Sequence, residues 1–225
     1  MNPLRIPAHL RLTLLGLAAL LGACASPPPA RQEAPTTPST QVFRYTGGQL
    51  TVRTQGTTCL LELKGEIQAA TVRQMTAPLQ AIEQAGCTHK TLALDATQGV
   101  LGDAITLGSM IRNRGYNTQV APGATCNTPC MMVFAAGTER WLPAEPVPAR
   151  IAFSQIPPDA DFGRHVCETE LSRGQQLTLL RYLRAMLPPP TALAVYQKLE
   201  AANCRSTDVY GPQEALAMGL ATAVR

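Results

Sequence analysis

The sequence predicts an α/β fold with a largely parallel sheet flanked by helices. Apolar runs of strand length alternate along the chain with segments of helical periodicity, and glycines stand where several of these segments end. Of the 225 residues, 45% are hydrophobic and only 15% are charged, a composition typical of a buried core rather than of disorder. We therefore expect one folded domain, with or without tails.

Each element is predicted from its own spacing of apolar residues. The run CLLELKGEI at 59–67 is largely apolar and predicts a strand ended by Gly65. The segment 70–86 instead places apolar residues three or four apart, as a helix does, and Gly86 suits its end. The remaining predictions, in chain order, are a strand at 91–96, a helix at 101–115, a short strand at 118–122, a helix that starts within 123–132 and ends at Gly137, a strand at 149–156, and helices at 171–187, 191–202 and 213–220.

The charge balance argues against a nucleic-acid partner. The formal net charge is +4, and residues 1–23 contribute two arginines and no acid, which leaves 17 − 15 = +2 for the rest of the chain. The sequence shows no basic stripe, and aromatic residues make up only 4%. We expect neither nucleic acid nor a cofactor to bind.

The N-terminal residues predict export. Two arginines precede the apolar stretch LTLLGLAALLGA at 12–23, which has the length of a signal-peptide core and is short for a membrane span. The sequence Leu21-Gly22-Ala23-Cys24 resembles a bacterial lipobox, which implies cleavage before Cys24 and a diacylglycerol on its sulfur. An ordinary secretory signal followed by a chance cysteine is the alternative. Ala25 in place of aspartate favours the periplasmic face of the outer membrane.

A tether is predicted between this cysteine and the domain. Residues 26–40, SPPPARQEAPTTPST, are dominated by proline, threonine and serine and contain almost nothing to bury. The predicted organisation is a signal peptide at 1–23, a lipidated cysteine and tether at 24–40, and a folded domain at 41–225.

Six further cysteines suggest disulfides. An even number in an exported chain makes structural disulfides the default expectation, although the sequence alone permits many connectivities. A zinc site at the C-x3-C pair is the rival, but His89 and His165 are the only histidines outside the signal peptide. We expect the pairs that join neighbours in the predicted layout, namely Cys59–Cys87, Cys126–Cys130 and Cys167–Cys204.

Several motifs follow one another along the chain, namely LKGEI at 63–67, LDATQG at 94–99, IRNRG at 111–115, CNTPC at 126–130, VFAAGTER at 133–140, ARIAFSQ at 149–155 and EALAMGLAT at 214–222. In their order and spacing these motifs resemble the ClpP/crotonase superfamily, in particular its small exported ClpP-like proteins. The resemblance covers about residues 59–223 and implies a fold of repeated β-β-α units. An acyl-CoA thioester, the ligand of the crotonase type, is not favoured because the sequence shows no basic pocket for its phosphates.

The resemblance also implies where a catalytic triad would stand. Active relatives use a serine nucleophile, a histidine base and an aspartate that orients the histidine. These three positions fall on Thr128, Ser154 and Asn203 here, with Asp208 five residues beyond the last. Serine is a poor base near neutral pH, and an amide does not balance an imidazolium charge.

The predicted oxyanion hole is damaged as well. One donor in the family is the N–H of the residue after the nucleophile, and Pro129 has none. The other comes from a Gly-Gly turn that here is Gln98-Gly99, so Gly99 is the remaining donor. The defects fall on the chemical parts of the site, which predicts a pseudoenzyme that binds a peptide or protein. The alternative is a hydrolase that uses Thr128 as its nucleophile and has altered machinery.

The stretch GATCNTPCMM at 123–132 has three interpretations. Thr128 suits an N-cap and Pro129 a first helical position, so a disulfide-stapled helix cap is preferred over a nucleophile or a redox or metal pair. Other candidate residues favour structural roles. His89 and His165 are predicted at the surface, although His165 is also considered as a substitute base, while Asp95, Asp103 and Glu139 are separate acids and Trp141 is predicted to pack.

Overall fold

The computed structural model of the chain describes residues 38–166, 168, 170–202 and 206–225. Its larger sheet has seven strands in the order β1-β2-β3-β4-β5-β7-β10, and a smaller sheet has the order β6-β8-β9. The strands are β1 Ser39–Tyr45, β2 Gly48–Gln55, β3 Thr58–Gly65, β4 His89–Asp95, β5 Asn117–Val120, β6 Thr125–Cys126, β7 Arg140–Leu142, β8 Arg150–Phe153, β9 Asp208–Tyr210 and β10 Ala223–Val224. The helices are α1 Ala69–Gln84, α2 Leu101–Asn113, α3 Thr128–Ala135, α4 Arg173–Met186, α5 Pro189–Ala201 and α6 Pro212–Ala217.

The parallel half of the large sheet confirms the predicted α/β class. Strands β3, β4, β5, β7 and β10 pair in parallel, and helices connect several of them. Alternate residues of β3 and β4, such as Leu61 and Leu92, are fully buried. The opposite face carries polar residues, including ion pairs between Arg53 and Glu62 and between Lys64 and Asp95. The period-two burial follows from the pleat of the strands.

The hairpin of β1 and β2 precedes the first predicted strand and corrects the predicted domain start. β1 begins at Ser39, two residues inside the expected tether, and pairs antiparallel with all but one residue of β2. Its sequence, STQVFRY, is mostly polar because it is an edge strand with most of its side chains in solvent. The hydroxyls of Ser39 and Thr54 lie 2.7 Å apart across the pair. Tertiary pairing therefore brings Ser39 and Thr40, whose composition predicts a linker, into a strand.

The helix α3 runs through the centre of the domain. All eight of its residues are buried, and it packs against α2, β5 and β8. A helix that is apolar all round is typical of such a position. Strand β6 leads directly into its first turn, while the end of β8 lies beside that turn. The small sheet thus fixes the N-terminal end of α3, where the candidate site lies.

Two of the three expected disulfides lie in the described part of the chain. Cys59–Cys87 joins the start of β3 to the residues after α1, with a Cα–Cα distance of 5.8 Å. Cys126–Cys130 links β6 to the first turn of α3, with a Cα–Cα distance of 5.1 Å. Cys167 and Cys204 fall outside the described residues.

Two guanidinium groups meet at the C-terminal end of α3. Arg140 is 5% exposed and donates to the carbonyls of Gly137, Gly219 and Leu220 at 3.1, 3.3 and 2.7 Å. Arg112 also donates to the Gly137 carbonyl, at 3.2 Å, and to the carbonyl of Met186. These carbonyls follow or end the helices α3, α6 and α4, whose C-terminal ends carry partial negative charge. Burial, followed by the charge of Arg112, lowers the pKa of Arg140.

None of the described helices has both the length and the apolar character needed to cross a bilayer. The predicted signal peptide and lipidated Cys24 fall outside the described residues.

Candidate functional site

The candidate site is a cleft where four chain segments converge, one of which is the connection from β3 to α1 with Glu66 and Gln68. Together with the residues after β4, the first turn of α3 and the residues after β8, it surrounds a volume of about 340 Å³. β4, in the large sheet, leads into one of these segments. β6 and β8 pair in the small sheet, which places the start of α3 beside the residues after β8. The lining residues are Glu66, Gln68, Thr97, Gln98, Gly99, Val100, Asn127, Pro129, Ser154 and Pro157.

The structure brings Thr128 and Ser154 together, as the resemblance implies. The Thr128 hydroxyl donates to the Ser154 carbonyl at 2.6 Å and accepts from the Ser154 N–H at 3.1 Å. The Ser154 hydroxyl lies 3.3 Å from the Thr128 hydroxyl and accepts a long hydrogen bond, 3.4 Å, from the Thr128 N–H. Thr128 has no exposed surface. We call this reciprocal set of hydrogen bonds the Thr128–Ser154 clip.

The clip corrects the predicted cap of α3. The N-cap is Asn127 rather than Thr128, and Pro129 is the second helical residue rather than the first. The Thr128 hydroxyl bonds to Ser154, the residue after β8, instead of to the amides of its own helix, so it does not cap the helix. The Asn127 side chain does not cap it either, because its Nδ2 donates to the Thr97 carbonyl at 2.8 Å. The first turn is therefore fixed by contacts with the neighbouring segments and by the Cys126–Cys130 disulfide.

Gly99 keeps its N–H out of the bridge that holds it. Gly99 lies opposite Ile67 in a parallel bridge. The two hydrogen bonds of the bridge run from the Ile67 N–H to the Gln98 carbonyl and from the Val100 N–H to the Ile67 carbonyl. Because bonding groups alternate sides along an extended chain, the Gly99 N–H points away from Ile67. A Cβ at this position would lie 2.7 Å from the Ile67 carbonyl oxygen and 3.2 Å from the Pro129 Cβ. Glycine is therefore required by close packing, and one donor of the predicted pair survives.

A second volume of about 350 Å³ continues the cleft towards the β1–β2 hairpin. It shares Glu66, Thr97 and Gln98 with the first and adds Gly47, Lys64, Gly65 and Asp95. The ion pair between Lys64 and Asp95, at 3.6 Å, lies in this second part. The two volumes form a groove with Glu66, Thr97 and Gln98 at the overlap.

The remaining predicted residues lie apart from the clip. His89 is the first residue of β4, whereas the cleft lies beyond the last residue of that strand. His165 is exposed on the turn that follows β8. Glu139 is exposed beside β7, and the Arg225 guanidinium lies 3.6 Å from the ring centre of the half-buried Trp141. Asn203 is outside the described residues, and Asp208 pairs with Lys198 at 2.7 Å.

An acidic contact at the start of α2 escaped the sequence analysis. Asp159 is 4% exposed, and its carboxylate accepts from the Gly102 N–H at 2.8 Å and the Phe162 N–H at 3.0 Å. Burial, followed by the charges of Asp159 and Asp161, raises the pKa of Asp103. The only local signal in the sequence was Asp159 itself, because an aspartate often begins a turn by accepting from a backbone N–H a few residues later, as it does here from Phe162. In the described part of the chain, no group of three or more His, Cys, Asp or Glu is arranged to hold a metal ion.

Three solved structures share this architecture. A mutant of the 1510-N membrane-bound stomatin-specific protease aligns with a TM-score of 0.55 and 15% identity, over 73% of this chain and 77% of that chain. A peptidase from Plasmodium falciparum aligns with a TM-score of 0.54 and 11% identity, over 74% of this chain and 94% of that chain. Another mutant of the stomatin-specific protease, in complex with a substrate peptide, aligns with a TM-score of 0.54 and 15% identity, over 73% of both chains.

The chain has the fold of the ClpP-like peptidases. This confirms the fold class that the ordered motifs imply. No model of a protein family matches the sequence, and no curated protein matches it. With identities of 11–15%, the likeness establishes the ClpP-like fold and leaves the activity to be argued from the site.

Proposed function

We propose that this chain is a non-catalytic peptide-binding module with a ClpP-like fold. The observation that carries the proposal is the Thr128–Ser154 clip, in which the only hydroxyl at the nucleophile position is buried and donates its proton to a backbone carbonyl. A nucleophile needs an exposed oxygen and a base that takes its proton. The Ser154 groups around Thr128 supply neither.

The missing oxyanion donor supports the same proposal. Pro129 follows Thr128 and has no N–H to offer to a developing oxyanion. Removing one such donor from an active enzyme typically costs about 2.7–4 kcal/mol of transition-state stabilisation. Gly99 alone is a binding contact for a ground-state carbonyl rather than a complete oxyanion hole.

What remains in the cleft suits an extended peptide. The groove offers the outward N–H of Gly99, the exposed Gln98 amide and the exposed carboxylate of Glu66 in a channel open to solvent. The stomatin-specific protease of the same fold has been solved with a substrate peptide. A domain of this fold without the chemical groups would retain a peptide-binding surface.

We extend the proposal to the location of the protein. The lipobox-like sequence before Cys24 supports a lipid anchor on the periplasmic side of the outer membrane, with residues 26–40 as the tether. Metabolic labelling with an alkyne analogue of palmitate should label the native chain and leave Cys24→Ser unlabelled. Equal labelling of both would contradict the anchor.

The absence of catalysis is tested with a fluorophosphonate probe, which labels activated hydroxyl nucleophiles. We expect no labelling of the full native chain. Labelling that disappears in Thr128→Ala would overturn the proposal. A positive control is a restored variant in which the family's groups replace the altered ones, carrying Gln98→Gly, Thr128→Ser, Pro129→Ala, Ser154→His and Asn203→Asp.

Peptide binding is tested separately with a phage-displayed library of random twelve-residue peptides. Peptides enriched on the full chain should bind at least tenfold more weakly to Gln98→Trp, because the indole fills the cleft at an exposed position. Gln84→Trp places the same ring at the exposed end of α1, away from the cleft, and should bind as the native chain does. Equal binding by the native chain and Gln98→Trp would exclude the cleft as the peptide site.

A further inference from the structure

The outer edge of the large sheet is open. β1 is the terminal strand, and most of its seven residues are exposed, including Val42 at 51%. The helix α1 packs against β1 and β2 without covering this edge among the described residues. Protein edges are usually protected by brevity, proline, bulges or several charges. β1 has seven residues in continuous register with β2, no proline, and a single charge on Arg44.

The hydrogen bonds of the sheet fix which groups of β1 face outward. In β3, the backbone N–H and C=O groups of odd-numbered residues point towards β4, because the His89 N–H donates to the Thr57 carbonyl next to the start of β3. The backbone groups of even-numbered residues of β3 point towards β2, because the Glu66 N–H just after β3 donates to the Gly47 carbonyl just before β2. Following the register from β3 through β2 to β1, the odd-numbered residues of β1 bond to β2. The N–H and C=O groups of Thr40, Val42 and Arg44 therefore point away from the sheet.

These outward groups match themselves under a two-fold rotation. We propose that β1 pairs antiparallel with β1 of a second copy of this chain, about a two-fold axis at Val42, the middle residue of Ser39–Tyr45. Val42 then faces the partner's Val42, and Thr40 faces the partner's Arg44. Each of these pairs is of the type in which the two residues exchange both backbone hydrogen bonds.

The side chains favour this register. The exposed Val42 side chains meet across the axis and lose contact with water. Each Arg44 lies opposite a threonine, and the two arginines are about 13 Å apart along the strands, so no like charges face each other. The pairing joins two seven-stranded sheets into one continuous sheet and is separate from the cleft.

Cysteine cross-linking of the full chain tests the register. Oxidation of Val42→Cys with copper phenanthroline should give a disulfide-linked dimer on a non-reducing gel, because the paired Cα atoms would lie about 5.5 Å apart. Thr40→Cys is the matched control, since its two copies lie about 13 Å apart in this register and should remain unlinked. A mixture of Thr40→Cys and Arg44→Cys chains, carrying different tags, should link only between the two kinds of chain. Equal or absent linking of Val42→Cys and Thr40→Cys would overturn the proposal.

The association itself is tested by sedimentation equilibrium. Val42→Pro removes an outward N–H that β2 does not use, so the domain should keep its fold and its circular dichroism spectrum while the dimer is lost. Val42→Thr keeps the N–H and a β-branched side chain and should remain dimeric. A native chain that is monomeric at every concentration, or a Val42→Pro chain that is as dimeric as the native one, would refute the pairing.

Discussion

The two ends of α3 bury polar groups in different ways. At the C-terminal end, two guanidinium groups lie against the carbonyls that end three helices. At the N-terminal end, the Thr128 hydroxyl bonds to the backbone carbonyl and N–H of Ser154. Each arrangement satisfies buried polar groups. Only the second involves the positions where the resemblance to ClpP-like proteins places a nucleophile and its base.

This difference separates the roles of the two ends. The C-terminal cluster places positive charge where the helix ends are negative, so it contributes to stability whatever the cleft does. The N-terminal clip uses its hydroxyls in hydrogen bonds between α3 and the residue after β8, which agrees with the proposed non-catalytic role. A domain that lacks catalysis at this end, as we propose, can therefore keep its fold.

Replacing the buried guanidinium should have the largest effect. Arg140→Met removes this donor from three carbonyls, two of them in buried hydrogen bonds, and should lower the free energy of unfolding by about 3 kcal/mol or more. Urea denaturation of the full chain measures it. Arg150→Met, at an exposed position of β8, is the control and should change stability by no more than about 0.5 kcal/mol. Similar effects of the two changes would contradict a structural role for the cluster.

Replacing the clip hydroxyl should have a smaller effect. Thr128→Val keeps the shape but leaves the Ser154 carbonyl and N–H unpaired, which should cost about 1–3 kcal/mol in urea denaturation. Thr128→Ser keeps the hydroxyl and should cost less than Thr128→Val. If Thr128→Val were as stable as the native chain, the clip would have no structural role and the case for a nucleophile at this position would strengthen.

The smallest effects are expected for two buried tyrosine hydroxyls. The Tyr182 hydroxyl donates to the Met132 carbonyl at 2.7 Å, so Tyr182→Phe should cost about 1 kcal/mol. The Tyr116 hydroxyl is also buried but has no hydrogen-bond partner among the described residues, and Tyr116→Phe should be neutral or stabilising. Thermal denaturation of the two variants compares them directly. A larger loss for Tyr116→Phe than for Tyr182→Phe would reverse the expected order.

Local patterns predicted the central elements of the fold. The helix 70–86 was predicted from apolar residues three and four apart, and the structure has α1 at Ala69–Gln84. The strand 91–96 was predicted from an apolar run, and the structure has β4 at His89–Asp95. Strands β1, β2, β6, β7, β9 and β10 were missed. Most of them are short or polar, and each pairs with a neighbour that the local sequence does not reveal.

Residue type and spacing alone predict the alternation of strands and helices and the distinct composition of the N-terminal segments. They also place Thr128 and Ser154 where the resemblance puts a nucleophile and its base. Those features depend on residues that are close together in the chain, so the sequence is enough to predict them. The hydrogen-bond partner of the Thr128 hydroxyl, in contrast, depends on the tertiary structure. This hydroxyl can cap a helix, attack a carbonyl or bind a neighbouring strand, and the choice depends on where β8 lies. That position is set by pairing in the small sheet between residues far apart in the chain.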